Sequence, residues 1–299
     1  MSMANLPLPQ PRAFGQTSGL GAWWTQPLAV FLGFTAFIVY STWAAAQADH
    51  FFTHAGNPSK SLFGGGSSAA HYLSPMYSPV LWDIPSKPSG HAWFGEAPAA
   101  MVRFFESMPF FFFVFSPAFL ILMFPAGFRL TCYYYRGAYY KAFWADPPAC
   151  AVGEPGFRGK RYRGEKLFPL VVMNVHRYFL YAAIAFIGLL SYDAVLSYWF
   201  TDPETGRGGV GLAVGSLVLT INPILLGGYT FGCHSLRHLV GGKKDCIGAS
   251  GLRRTSYDCV SCLNRRHMLW AWMSLVWVGF TDCYVRMVAS GTWTDWRLI

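Results

Sequence analysis

Cysteine and histidine concentrate in one stretch of this sequence. Between Gly232 and His267 lie Cys233, Cys246, Cys259 and Cys262, four of the seven cysteines, together with His234, His238 and His267, three of the eight histidines. Thiolate and imidazole are soft donors, and a group of them flanked by long apolar runs fits a redox metal centre at a membrane surface. Two ligand groupings compete. The first places cysteines on one iron and imidazoles on the other, the Rieske arrangement, in which nitrogen donors raise the potential relative to an all-cysteine cluster. The chain lacks the tandem Cys-x-His and Cys-x-x-His loops of the soluble Rieske fold, so those ligands must come from different helices. The second groups Cys246, Cys259, Cys262 and His267, whose Cys-x12-Cys-x2-Cys-x4-His spacing suits a four-coordinate structural zinc loop.

The elements that position these residues are hydrophobic. Of 299 residues, 53% are hydrophobic, 18% aromatic and only 12% charged, which excludes an ordinary soluble domain and indicates an all-α integral membrane protein. Five runs have the length and character of spanning helices, at about 27–46, 109–130, 169–199, 210–231 and 267–289. Pro117 and Pro125 are expected to kink the second and Pro223 the fourth. The third is long enough for its first two turns, with His176 and Arg177, to leave the bilayer. Residues 1–26 form a short N-terminal segment with no cleavable signal. Residues 47–107, with Gly64-Gly65-Gly66 and six prolines from Pro58 to Pro98, predict a long loop with little regular structure. Tyr133 to Trp144, mixing aromatics with Arg136 and Lys141, suits an interfacial helix.

Charge sets the orientation. Residues 129–168 hold eight lysines and arginines and residues 232–267 hold seven, against three in 47–107 and one in 200–209. The positive-inside rule then puts both basic loops and the N-terminus in the cytoplasm and the C-terminus outside a bacterial plasma membrane. The net charge of +9 is accounted for by this orientation and calls for no nucleic acid. One consequence is chemical: Cys132, His176, Cys233, His234, His238 and His267 all fall at cytoplasmic span ends, with Cys150 on a connecting loop beside them. His50, His54, His71 and His91 belong to the outer loop, and no histidine lies mid-span, which disfavours a transmembrane pair of b haems; a single haem b at the inner face stays open. Cys283 reads as a small core hydrophobe. Asp193, Asp282 and Arg286 lie towards outer span ends, the last two as an i, i+4 pair.

Phe128-Arg129-Leu130-Thr131-Cys132 with the aromatic run to Trp144, Pro147-Pro148-Ala149-Cys150, Asn174-Val175-His176-Arg177-Tyr178, Cys233-His234-Ser235 with Arg237-His238, and Leu263-Asn264 with Arg266-His267 together resemble an actinobacterial family, over roughly residues 100–299. The family is the five-helix membrane anchor of mycobacterial type 1 succinate dehydrogenases. The resemblance implies a membrane-anchor subunit of succinate:menaquinone oxidoreductase, respiratory complex II. It further implies a flavoprotein subunit and an iron–sulfur subunit as partners, menaquinone as electron acceptor and a Rieske-type 2Fe-2S cluster in place of haem. Ligands for that cluster would be drawn from Cys132, Cys150, Cys233, His234, His238 and His267, with His238 and His267 the favoured imidazoles and His234 in reserve. Cys246, Cys259 and Cys262 have no secure place in the family pattern.

The chain carries no dinucleotide fingerprint, flavin-binding segment or ferredoxin-type run of cysteines, so FAD and the dicarboxylate site belong on a partner. A reduced quinone needs positive charge and hydrogen-bond donors at its carbonyls and a proton source; Arg136, Tyr139, His176, Arg177 and Tyr178 supply those groups at the inner boundary. Arg177 reads equally well as a cation snorkelling to the headgroups. Membrane lipid surrounds the subunit, and a higher oligomer of the complex is compatible with the sequence. The rival from another class is a membrane scaffold protein with a zinc-stabilised cytoplasmic loop and no redox role.

Overall fold

The computed structural model describes residues 24–53, 59–62, 68–85, 88–107, 115–143, 170–202, 205–242, 248 and 251–299. Cys150, Cys246, His54 and the basic stretch 158–166 lie outside them. In chain order the described elements are α1 (Thr25–Gln47), β1 (Lys60–Ser61), β2 (Ala69–Ala70), α2 (Ala99–Glu106), α3 (Ala118–Leu130), α4 (Tyr133–Ala142), a 3-10 turn (Leu170–Val175), α5 (His176–Leu196), β3 (Trp199–Thr201), β4 (Gly208–Val210), α6 (Val214–Phe231), α7 (His234–Gly241), α8 (Leu252–Arg265), α9 (His267–Ala289) and β5 (Trp296–Arg297). Chain contacts divide them into two compact units, residues 1–38 with 129–176, and residues 39–128 with 177–299.

Four helices are long and apolar enough to cross a membrane, over Thr25–Gln47, Val171–Leu196, Val214–Phe231 and His267–Ala289. They match the first, third, fourth and fifth predicted spans. At the second, only the shorter apolar helix α3 is described, and residues 109–114 are outside the described set. Pro117 stands immediately before α3 rather than kinking it, since the ring's fixed φ and missing N–H suit a helix start; Pro125 and Pro223 do lie inside helices. The fourth span begins at Val214 because residues 208–210 pair with β3 as strand β4. The third begins as a 3-10 turn that becomes α-helical at His176. A helix stands where the interfacial one is expected, as α4.

In the second unit α6 and α9 make the most extensive helix pairing. Two glycines allow close approach elsewhere in it: a Cβ on Gly228 would sit 2.5 Å from the Trp270 ring, and one on Gly127 would sit 2.4 Å from Phe179. The 47–107 loop has the little regular structure expected of it among its described residues, two two-residue strands and α2, yet it is packed. It contributes β1 and β2 to small sheets, β1 pairing with β5 and β2 with β3, and it buries Phe51, Tyr72, Tyr77 and Val80. Phe51 and Tyr77 stack with ring centroids 4.2 Å apart. Turn-forming composition conceals how its hydroxyls are used: Ser74 donates to Asp282, Ser78 to Asp193 and Ser59 to Asp295. Each carboxylate thus finds the donor that burial demands. Asp282 also takes the Arg286 Nε–H at 2.7 Å, and both residues are buried, which bears out the predicted pair.

Candidate functional site

Both buried thiols sit at the same kind of corner. α3 ends at Leu130, Thr131 turns, and Cys132 adopts an extended backbone (φ −67°, ψ 132°) as the N-cap of α4. α6 ends at Phe231, Gly232 turns, and Cys233 (φ −69°, ψ 142°) is the N-cap of α7. Each sulfur is therefore fixed where an apolar helix gives way to a short polar one, and each residue is 2% exposed. The sequence puts His234 and His238 at the end of the fourth span, where an i, i+4 pair would share its last turn; they stand instead on a new helix, because Gly232 and the extended Cys233 interrupt the first.

In the first unit the residues around Cys132 organise a buried imidazole. His176 opens α5, and its Nδ1 lies 2.9 Å from Thr131 Oγ1, one residue before Cys132. Tyr139 donates its hydroxyl to the Leu130 carbonyl at 3.0 Å, with Met173 Sδ 3.9 Å away. Arg129 donates to the Tyr135 hydroxyl at 2.7 Å. Burial pushes the Tyr135 phenol up to about 12, the neighbouring guanidinium opposing the shift. The half-buried Arg136 lies with its guanidinium 4.3 Å from the Tyr133 ring centroid. Three predicted quinone ligands, Arg136, Tyr139 and His176, thus share this unit. The next two residues on α5, Arg177 and Tyr178, belong to the second unit and are exposed, the guanidinium 5.6 Å from the Tyr178 centroid.

The second unit holds the remaining described donors. His234 and His238 face each other one turn apart on α7, with Nε2 atoms 2.9 Å apart, and both are exposed. The His234 imidazole is held below its ordinary pKa by burial and then by the positive charge of His238 and Arg237. His267 opens α9 and stacks on Tyr229 of α6, centroids 5.0 Å apart and planes 21° from parallel. Phe128 meets the same Tyr229 ring edge-on at 5.4 Å. Asn264 Nδ2 donates to the Gly232 carbonyl at 2.8 Å, tying the end of α8 to the corner that carries Cys233. Cys259 and Cys262 are exposed on α8.

The donor types suit either a mixed Cys/His cluster or zinc. Among the described residues, however, no three His, Cys, Asp or Glu side chains are grouped to hold a metal ion. The chain's described portion therefore presents donors at two corners rather than a closed ligand set. Sequence reasoning missed Thr131, Tyr229 and Asn264, which meet His176, His267 and the second corner, and Tyr135, which accepts from Arg129. Their only local signal is adjacency, as for Thr131 beside Cys132.

A family model described as actinobacterial succinate dehydrogenase subunit SdhC matches residues 25–291. A chain of the Mycobacterium smegmatis Sdh1 complex in the apo form is 37% identical, with a TM-score of 0.75, covering 98% of this chain and 96% of that one. No curated protein sequence matches. This chain belongs to the actinobacterial SdhC family and is a membrane subunit of succinate dehydrogenase.

Proposed function

We propose that this subunit delivers electrons from succinate oxidation to menaquinone at the cytoplasmic face of a bacterial plasma membrane, its N-terminus inside and its C-terminus outside. A flavoprotein subunit and an iron–sulfur subunit supply the electrons, the latter docked on the basic loops. The observation that carries the quinone assignment is the buried His176 held by Thr131, in one unit with Arg136 and Tyr139. An imidazole tied through Nδ1 has a fixed ring plane and can serve as the proton donor that quinone reduction requires, while Arg136 supplies positive charge for the oxygen that gains an electron. Arg177 and Tyr178, the next two residues on α5, are exposed and suited to the lipid headgroup level.

A Rieske-type 2Fe-2S cluster bound by thiolates of Cys132, Cys150 or Cys233 and imidazoles of His234, His238 or His267 would supply one-electron transfer between the iron–sulfur subunit and the quinone. Support for it is the donor chemistry and the family, since no closed set occurs among the described residues. The second reading, a structural zinc on Cys246, Cys259, Cys262 and His267, rests on their spacing, and its three described donors are not grouped to hold a metal ion. Iron with acid-labile sulfide beyond the partner's clusters supports the first, and zinc alone the second.

The decisive assay is succinate:menaquinone reductase activity of the purified complex, beside succinate oxidation with a soluble artificial acceptor. His176→Gln is expected to lower quinone reduction by about 10²-fold or more, the usual size of a lost general acid, and Thr131→Val by about tenfold, with the artificial-acceptor rate unchanged. Unaltered quinone kinetics in His176→Gln would exclude His176 from the pocket.

A further inference from the structure

We propose that the seam between α7 and α8 is a binding site for the phosphate of an anionic phospholipid headgroup, built on Arg237 and Ser261. The two helices pack antiparallel: a Cβ on Gly241 would lie 3.6 Å from the Tyr257 ring, one on Gly242 3.3 Å from the Arg253 guanidinium, and one on Gly232 3.2 Å from Leu263. That register sets Arg237, one turn before Gly241, level with Ser261, one turn after Tyr257. The Arg237 guanidinium lies 5.1 Å from the Tyr257 ring centroid. Arg237 Nε and Ser261 Oγ are both buried, and neither has a hydrogen-bond partner among the described residues. Two unmatched donors level with one another on two packed helices, one of them cationic, call for an oxyanion.

Charge and position identify the anion's source. Among its described residues the hairpin carries Arg237, Arg253, Arg254, Arg265 and Arg266 against a single carboxylate, Asp258, which is already engaged by Arg254 at 2.8 Å. The hairpin joins the end of one spanning helix to the start of another. Arg237 lies on the first turn of α7, which starts at His234, three residues past the end of the spanning helix at Phe231, and so stays near the headgroup layer, which adds roughly 5–8 Å to each side of the hydrocarbon core. Leu239 and Leu252, 53% and 84% exposed, flank the arginines. Exposed leucines beside the Arg237 guanidinium suit a lipid interface at this seam, where acyl chains meet phosphate, and leave the other arginines of the loop to the docked iron–sulfur subunit.

The test uses the delipidated, purified complex and native mass spectrometry with three probes at matched concentration: dioctanoyl phosphatidylglycerol, dioctanoyl phosphatidylcholine and inorganic phosphate. The expected result is saturable phosphatidylglycerol binding that Arg237→Gln weakens by about tenfold, the size of a lost charge-assisted hydrogen bond, and Ser261→Ala by a smaller factor, with inorganic phosphate leaving no adduct and the subunit composition unchanged. Phosphatidylglycerol affinity within twofold of wild type in Arg237→Gln would overturn the site. Equal retention of inorganic phosphate, or of phosphatidylcholine, would overturn the anionic lipid as occupant. Loss of a partner subunit from Arg237→Gln at unchanged lipid binding would assign the seam to a protein contact instead. Should Arg237→Gln fail to assemble, Arg237→Lys and Ser261→Ala carry the same comparison.

Discussion

Replacing Arg286 by Met tests how the C-terminal ends of α1 and α9 are held. Arg286 donates through Nε to Asp282 at 2.7 Å, through Nη2 to the Ala44 carbonyl at 2.6 Å and through Nη1 to the Asp49 carbonyl at 2.8 Å. It is 3% exposed and Asp282 is 0% exposed. The substitution leaves a buried carboxylate with the Tyr40 hydroxyl, at 2.7 Å, and Ser74 as its side-chain donors among the described residues, and it strips the carbonyls at the end of α1. Removing one member of a buried ion pair costs about 3–5 kcal/mol, with the stranded carbonyls inside that range. At roughly 2–4 °C per kcal/mol for a chain of a few hundred residues, Tm should fall by roughly 6–20 °C. The assay is thermal unfolding of the purified complex in nanodiscs, with Arg286→Met, Asp282→Asn and the double variant compared. The double variant removes the uncompensated charge and should lose less than the two single losses added together. A single-variant loss under about 2 °C, or a double loss equal to the sum, would refute the claim that the buried pair locks these elements.

Two further outcomes follow from the geometry. Leu62, 52% exposed in the outer loop, should as Leu62→Cys react with an impermeant thiol reagent in intact cells, whereas the exposed Cys259 and Cys262 should react only after lysis; labelling of these two from outside would reverse the orientation. Because burial raises the Tyr135 phenol to about 12 from an unfolded value near 10, the protonated folded form is favoured: its contribution to stability is complete below pH 10 and is lost as the pH climbs towards 12. The difference in Tm between wild type and Tyr135→Phe should therefore shrink across that window, and a difference independent of pH would contradict the assignment.

The spanning helices were legible because a bilayer imposes a length and an apolarity that single-sequence composition records directly. α1 and α9 fall within two residues of the predicted bounds, and α9 begins at the predicted His267. Where the reading failed, pairing at a distance decided the structure. Residues 47–107 look like loop because Gly, Pro and Ser dominate, yet Ser59, Ser74 and Ser78 meet carboxylates more than 100 positions away, at Asp295, Asp282 and Asp193. No local pattern announces a hydroxyl that will be spent on such a partner. The predicted start of the fourth span at 210 is four residues before α6 because the stretch 210–213 is as apolar as a helix turn, whereas Val210 pairs with β3 and Ala213 is extended as the N-cap.

The donor set was legible as composition, whereas its arrangement in two matching corners needed the backbone, and that arrangement separates the cysteines by role. At an N-cap the favoured residues are Ser, Thr, Asp and Asn, whose oxygens satisfy the first free N–H groups of the helix at a gain of about 1 kcal/mol. Cys132 and Cys233 occupy that position on α4 and α7, and neither makes the side-chain capping bond. The sequence thus forgoes about 1 kcal/mol at each of two corners where a serine of nearly the same size would stabilise the helix. Burial of both residues removes solubility as an explanation, and packing alone favours Ala or Val equally. What serine and alanine lack is a sulfur that can become a thiolate ligand. Cys259 and Cys262 forgo nothing comparable, being exposed on a helix face where most residues are tolerated. The cost paid at Cys132 and Cys233 is therefore a physical reason, independent of family resemblance, to place the redox proposal at those two corners rather than on α8.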